Sequence, residues 1–364
     1  MPGPIIRIGP NELHVCHPNA YDQVYRVGSK ASKWPWYYSC FGVGHSAFGT
    51  LDNTVHSQRR AAMSSFFSRQ SVLAFDEVLS RPIIKLRARL RLLQQQQGPD
   101  AHCPLERAYR CISLDSISEI AFGSSFGFLD MDDYGKSFHE GVEDSLRTIC
   151  TIRHFPVLVP VFNNIPLWLM RMAGEKLSAV RMMKEFAQKA ASTALSLDAA
   201  DGHTKGTSQT NAKTIVAEIV SNPDPSKTGV VTRRRLEEEA LSLIAASSDT
   251  VGNALTVATY HLLKNESFLR RLEKELKGVI QDVEKCPGYD ELADLPWLTA
   301  VVKESLRMSH GLVGRLPRVV PLSGMEIMGE HIPGGVSVTH SCSQLSARGK
   351  HSLTMLLYSR LLSP

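Results

Sequence analysis

A chain of 364 residues with 43% hydrophobic and 21% charged residues has an ordinary globular composition, and it is long enough for one large core or two modest ones. Its formal net charge of +5 is too small to argue for nucleic acid as a partner, and the run Arg233, Arg234, Arg235 is answered at once by Glu237, Glu238 and Glu239, as on a solvated helix start. Seven cysteines, odd in number and without C-x-x-C spacing, favour reduced structural thiols; no run of about 18 apolar residues offers a membrane span, and "MPGPIIRIGP" lacks the charged-then-apolar order of a secretory signal.

The predicted elements begin with a β-hairpin over "PIIRIGPNELHV" (4–15), where alternation is punctuated by Gly9 and Pro10. Residues 28–50, rich in Gly, Ser and aromatics, read as loop. From Thr54 to Gln97 helical periodicity holds almost throughout, with a break expected near Pro82. "LERAYRCISLDSISEIAFGSSFGF" is an amphipathic helix that Gly123 should stop. Helices over 135–150 and 171–198 flank the greasy stretch "FPVLVPVFNNIPLWLM" (155–170), whose prolines and asparagines suit a loop or short helices at a surface or channel mouth. Residues 199–213 and 222–229 read as polar loops. A long helix is expected from about Arg233 to Lys264, another over 266–284, and a third from Trp297 to Met308. From Leu316 the pattern changes to short strands in "RLPRVVP", "MEIMG" and "GGVSVTH". The first and last strands would pair in one small mixed sheet of a mainly α domain.

Several motifs fail. "GVGHSAFG" (42–49) has neither the G-x-G-x-x-G spacing nor a G-x-S-x-G elbow, since Phe48 holds the last position. His139 and Glu140 adjoin without the second histidine of H-E-x-x-H, so no metal site is assigned. "DMDD" (130–133) reads as an acidic helix cap rather than a metal motif.

Two stretches carry chemistry. In "LPWLTAVVKESLRM" (295–308), Glu304 and Arg307 stand three apart on one helix face and can pair. A surface ion pair is the plain reading of that spacing. This Glu-x-x-Arg, however, is the only one in the chain, and "GRLPRVVP", "MEIMG" and "IPGGVSV" follow it. In "AASSDTVGNAL" (245–255), small and hydroxylic residues interrupt a helix where Ala, Leu and Ile would serve a core better. Ala246, Asp249, Thr250 and Asn253 recur at i, i+3, i+4 and i+7 on one face. A Ser/Thr-rich helix bonding its own carbonyls is the alternative.

This succession resembles the cytochrome P450 family of haem-thiolate monooxygenases, and it does so over about residues 3–340. The family's Ala/Gly-Gly-x-Asp/Glu-Thr-Thr signature matches Ala246 to Val251, with Ser247 in place of the glycine and Val251 in place of the second Thr. His56 and Arg60 hold its Trp/His-x-x-x-Arg positions, and "GPIIRIGPNELHV" is similar to fungal members. The resemblance implies a mainly α cytochrome P450 fold with a small mixed sheet, and haem b as cofactor. It makes His56, Arg60 and Arg318 partners of the haem propionates, and Ala246 the residue that leaves room for haem and dioxygen. Asp249 and Thr250 would supply protons for dioxygen cleavage, while Glu304 and Arg307 would form a structural pair beneath the haem. It further implies a lipophilic substrate, a terpenoid or polyketide of fungal secondary metabolism. Electrons would come from an NADPH-cytochrome reductase at the cytosolic face of the endoplasmic reticulum.

One part of the family pattern has no counterpart. The Phe-x-x-Gly-x-Arg-x-Cys-x-Gly loop, whose cysteine thiolate ligates iron, is absent. Cys342 lacks its Phe, Gly and Arg neighbours, and in "FGVGHSAF" (41–48) Ser46 and Phe48 occupy the Arg and Cys positions. The expectation is therefore a P450 domain over 1–340, cut short of both its anchor and its cysteine region, with an unrelated tail over 341–364. Such a chain would be soluble or peripheral on a membrane. Its activity stands against the alternative of an inactive remnant without haem-thiolate ligation.

Overall fold

A computed structural model describes residues 3–172, 177–201, 214–221, 231–311 and 314–340. The expected hairpin forms from β1 (Ile5–Gly9) and β2 (Glu12–Val15), with an irregularity between Arg7 and Gly9 where the chain turns. α1 (Pro18–Tyr25) follows, with Pro at its start where the missing N–H costs nothing. The 28–50 stretch is not all loop: it holds β3 (Ser32–Lys33) and α2 (Pro35–Ser39), both too short for periodicity to reveal. α3 (Asn53–Ala62) starts on an Asp52 cap, whose carboxylate accepts the Val55 N–H at 2.9 Å. α4 (Arg69–Ala74) and α5 (Asp76–Gln97) come next.

The break expected at Pro82 does not occur; α5 runs straight through it. Proline removes one bond, to the Val78 carbonyl, but the ring is buried along with Leu86 and that packing carries the helix on. The real interruptions lie between Ala62 and Arg69 and at Phe75.

α6 (Leu105–Phe122) ends where expected, because Gly123 takes the left-handed conformation (φ 81°) that favours glycine. α7 (Lys136–Ile152) has no acidic residue in its first turn, so the expected acidic cap is displaced. Asp133 instead accepts the Gly135 N–H at 3.0 Å in the preceding turn, and Asp130 pairs with Lys85 of α5. The greasy stretch becomes α8 (Val159–Asn163) and α9 (Leu167–Met172). α10 (Ser178–Asp201) takes in the start of the expected 199–213 loop; the remainder of that loop and 222–229 lie outside the described residues. α11 (Ile215–Ser221), unforeseen, is an apolar helix whose Ile215, Val216 and Ile219 are buried.

α12 (Arg233–Lys264) has the bounds expected of it, and the Thr232 hydroxyl caps it through the Arg235 N–H at 3.2 Å. α13 (Glu266–Lys277) stops short of residue 284, at Gly278. α14 (Tyr289–Ala293) leads to α15 (Pro296–Ser309), and β4 (Arg318–Val319), β5 (Met325–Ile327), β6 (Glu330–Ile332) and β7 (Ser337–His340) complete the described chain.

The two ends meet in a five-stranded mixed sheet of order β1-β2-β7-β4-β3, with β2 and β7 parallel and the other pairs antiparallel. β5 and β6 form a separate hairpin. β7, paired on both sides, has all four residues buried. α12 is the axis of the helical part and packs against α6, α10 and α15. One core joins α6, α7, α10 and α12 through Leu114, Phe128, Phe138, Met183 and Ile244. A second collects Phe66, Ile215, Ile219 and Leu236, and a third seals the sheet with Val15, Val24, Ile327 and Val338.

Candidate functional site

The sheet places two cations face to face. Lys33 of β3 and Arg318 of β4 are direct cross-strand partners in an antiparallel pair, an arrangement that like charges disfavour. His56 on α3 feels both of them, and Arg60 as well; after burial, these charges lower its pKa. Burial, reinforced by Arg318, lowers Lys33 to about 8. Lys33 donates to the Ala47 carbonyl at 3.1 Å. Arg318 donates to the Tyr38 hydroxyl and lies over the Tyr25 and Tyr38 rings, 5.2 and 5.4 Å from their centroids. Arg60, exposed, stands 5.5 Å from the Phe67 ring centroid. Of the groups acting on Lys33, only Glu239 is acidic, and its burial raises its own pKa. Cations gathered against their mutual repulsion fit the two carboxylates of a haem edge, and they lower their own energy when an anion arrives.

The loop between α2 and α3 is held beside this cluster from α12. Glu238 accepts the His45 N–H at 2.6 Å, and Glu239 accepts the Ala47 N–H at 2.8 Å. Hence the glycine-rich "GVGHSAFG", which matched no phosphate motif, is ordered by carboxylates.

On α12 the expected stripe spreads over neighbouring surfaces. Ala246 and Thr250 are exposed, and the Thr250 hydroxyl donates to the Ala246 carbonyl at 2.9 Å. That back-bond is the one a Ser/Thr-rich helix makes; it leaves the hydroxyl's acceptor lone pairs open. Asp249, 28% exposed, turns to α6, where Arg110 Nε stands 3.1 Å away. Burial raises its pKa, Arg110 opposes the shift, and Glu143 and Glu106 add to it. Arg110 also pairs with Glu106 and Glu143, each at 2.9 Å, so it ties α6, α7 and α12 together. Gly252 permits the crossing: a Cβ there would stand 2.6 Å from Arg110 Cγ. Asn253 reaches α15, donating to the Ser309 carbonyl at 2.8 Å.

Glu304 and Arg307 form a two-point pair, Nε to Oε2 at 2.8 Å and a terminal nitrogen to Oε1 at 2.5 Å. With side chains 28% and 24% exposed, they are half-buried, unlike an ordinary surface pair. They line a cavity of about 210 Å³ among α12, α13 and α15.

Lys33 and Arg110 escaped the sequence reading. Nothing local marks Lys33; only its register opposite Arg318 does. Arg110 falls one turn after Glu106, which signals a helix pair but not the reach to Asp249. Six free cysteines are described. Burial raises the thiol pKa of Cys40, Cys111 and Cys286, Cys111 to about 12, which holds those thiols protonated. Cys342 lies outside the described residues.

A profile of the cytochrome P450 family matches residues 2–350. The chain is 31% identical over 322 residues to cytochrome P450 monooxygenase tpcC of Cochliobolus heterostrophus, covering 88% of this chain and 59% of that protein. It is 30% identical over 338 residues to cytochrome P450 monooxygenase macH of Penicillium terrestre, covering 92% and 64%. Among solved structures, the cytochrome P450DA heme domain superposes with a TM-score of 0.70 at 15% identity, over 96% of this chain and 71% of that one. The chain thus spans about three-fifths of the length of these two monooxygenases.

Proposed function

From a chain that belongs to the cytochrome P450 family, we propose a haem-dependent monooxygenase acting on a lipophilic small molecule, a terpenoid or polyketide of secondary metabolism. The observation that carries this reading is the cluster of Lys33, His56, Arg60 and Arg318, whose charges press on one another. These residues would hold the propionates of haem b. Haem, when bound, supplies the dioxygen and redox chemistry. Ala246 offers a small side chain on the exposed face of α12. Thr250 positions a hydroxyl one turn further along, and beside it the Asp249 carboxyl, its pKa raised by burial against the pull of Arg110, would relay protons. Glu304 and Arg307 brace α15. The names of the two relatives, both monooxygenases, support the oxidative reading. We place the P450 domain over residues 1–340 and an unrelated tail over 341–364, while the family profile itself runs on to residue 350.

The partners follow from the same reading: an NADPH-cytochrome reductase at the cytosolic face of the endoplasmic reticulum, with peripheral membrane contact. No described helix is long and apolar enough to cross a membrane. The 155–172 stretch that holds α8 and α9 does leave Phe155, Val157, Leu158, Val161, Trp168 and Met172 exposed beside Arg153 and Arg171, a combination suited to a lipid surface.

The alternative is an inactive remnant without haem-thiolate ligation; of the six described thiols, burial holds Cys40, Cys111 and Cys286 protonated. The test is to express the chain with haem supplied, reduce it, add carbon monoxide and record the Soret band. The red-shifted band of thiolate-ligated haem would overturn the remnant. Absence of haem uptake would overturn catalysis by this chain.

A further inference from the structure

A cleft of about 750 Å³ opens between α8, α10, the first turns of α12 and the chain segment 39–45. Its size is that of a small-molecule site. Every arginine and glutamate lining it is engaged: Arg233 with Glu237 and Arg234 with Glu238, each at 2.8 Å, while the second oxygen of Glu238 takes the His45 N–H. Lys184 is the exception. It lies half-buried on α10 and makes no hydrogen bond or ion pair with any other described residue. Burial alone lowers its pKa; no neighbouring charge contributes. Gln188, one turn on and on the same helix face, lines the cleft too, and its side-chain amide is likewise without a partner among the described residues. Val159, Pro160, Ala187 and Leu241 give the cleft an apolar wall.

An ammonium half-withdrawn from water without a counter-ion is costly, and it repays that cost when an anion reaches it. One cation without a partner among the described residues matches one negative charge. The neighbouring Glu237 and Glu238 oppose a polyanion. The apolar wall asks for a hydrocarbon body behind the charge. We propose that this cleft binds an amphipathic monocarboxylate, its carboxylate on Lys184 Nζ with Gln188 beside it and its apolar part against Val159, Pro160 and Leu241. Along α12 the nearest lining residue, Leu241, stands nine residues, about 14 Å, from Thr250, so binding here does not depend on the haem reading.

The experiment is calorimetric titration of the chain with dodecanoate and with dodecan-1-ol, below the concentrations at which either aggregates. Dodecanoate should bind saturably, at least tenfold more tightly than the alcohol. Lys184→Met should erase that preference while alcohol binding stays; Lys184→Arg should keep it. Lys189→Met, at an exposed lysine of the same helix outside the cleft, should change nothing. Equal affinity for acid and alcohol, no dodecanoate binding, or equal weakening by Lys189→Met overturns the proposal. Should Lys184→Met fail to fold, amine acetylation read by mass spectrometry decides. Dodecanoate must shield Lys184 but not Lys189, and equal modification overturns the assignment. None of these readings needs haem, so a failed spectroscopic test of the monooxygenase leaves them unaffected.

Discussion

His139 should make the protein lose stability between pH 7 and pH 4. The imidazole is 2% exposed, between α6 and α7; its Nδ1 has no partner, and its Nε2 stands 3.6 Å from Cys111 Sγ. Burial, with Arg110 and Arg107 nearby, lowers its pKa from 6.5 to about 4, against the weaker pull of Glu143 and Asp133. A pKa lowered on folding means that the unfolded chain takes up the proton first. The stability is therefore intact above pH 6.5 and falls away as the pH drops toward 4. Integrated over that window, the loss is about 2 kcal/mol by pH 5 and about 3 kcal/mol by pH 4. His139→Leu, of similar volume, removes both the titration and the unpartnered Nδ1. At pH 7 it should be neutral or stabilising by about 1 kcal/mol. Urea unfolding of both proteins at pH 7, 6, 5 and 4 reads the difference, in which the carboxylates common to both cancel. Parallel pH dependences in wild type and variant would refute the buried neutral histidine.

Gly252→Ala should destabilise by about 1–2 kcal/mol, because its Cβ would press on Arg110 at 2.6 Å from Cγ and 3.1 Å from Cα; an unchanged melting temperature would mean that α6 and α12 cross less closely. Arg110→Met keeps the stem but strands Asp249, Glu143 and Glu106, so it should cost about 2 kcal/mol at neutral pH. That cost should shrink as the carboxylates protonate, and denaturant midpoints across pH 4–7 would expose a constant penalty. Arg307→Lys breaks the two-point geometry with Glu304, and a double-mutant cycle with Glu304→Gln should return a coupling of about 1 kcal/mol. Zero coupling would reduce the pair to an ordinary surface contact.

Signals confined to a few consecutive residues were legible in the chain itself. The long periodic run from about Arg233 marks α12, Gly123 marks the end of α6, and Gly9-Pro10 marks the first hairpin. Long-range burial was not legible. Pro82 reads as a break because its lost hydrogen bond is local and visible, whereas the packing that carries α5 past it comes from elsewhere. α2 and β3 are too short to show a period. The same division runs through the site. His56, Arg60 and Arg318 were reachable through motif resemblance. Lys33 gains meaning only when the sheet sets it opposite Arg318, from the far end of the chain. Asp249 was read from its place on α12, but its partner Arg110 lies on another helix and no spacing joins them.

The central claim is that the cation cluster and the exposed face of α12 form part of a haem site. Titrating the 364-residue chain with haem and following the Soret absorbance tests it most directly. The expected result is saturable one-to-one uptake that weakens about tenfold in Arg318→Ala, and further when His56→Ala is added, each substitution removing a charge-assisted contact. Absence of uptake, or uptake indifferent to both substitutions, would contradict it.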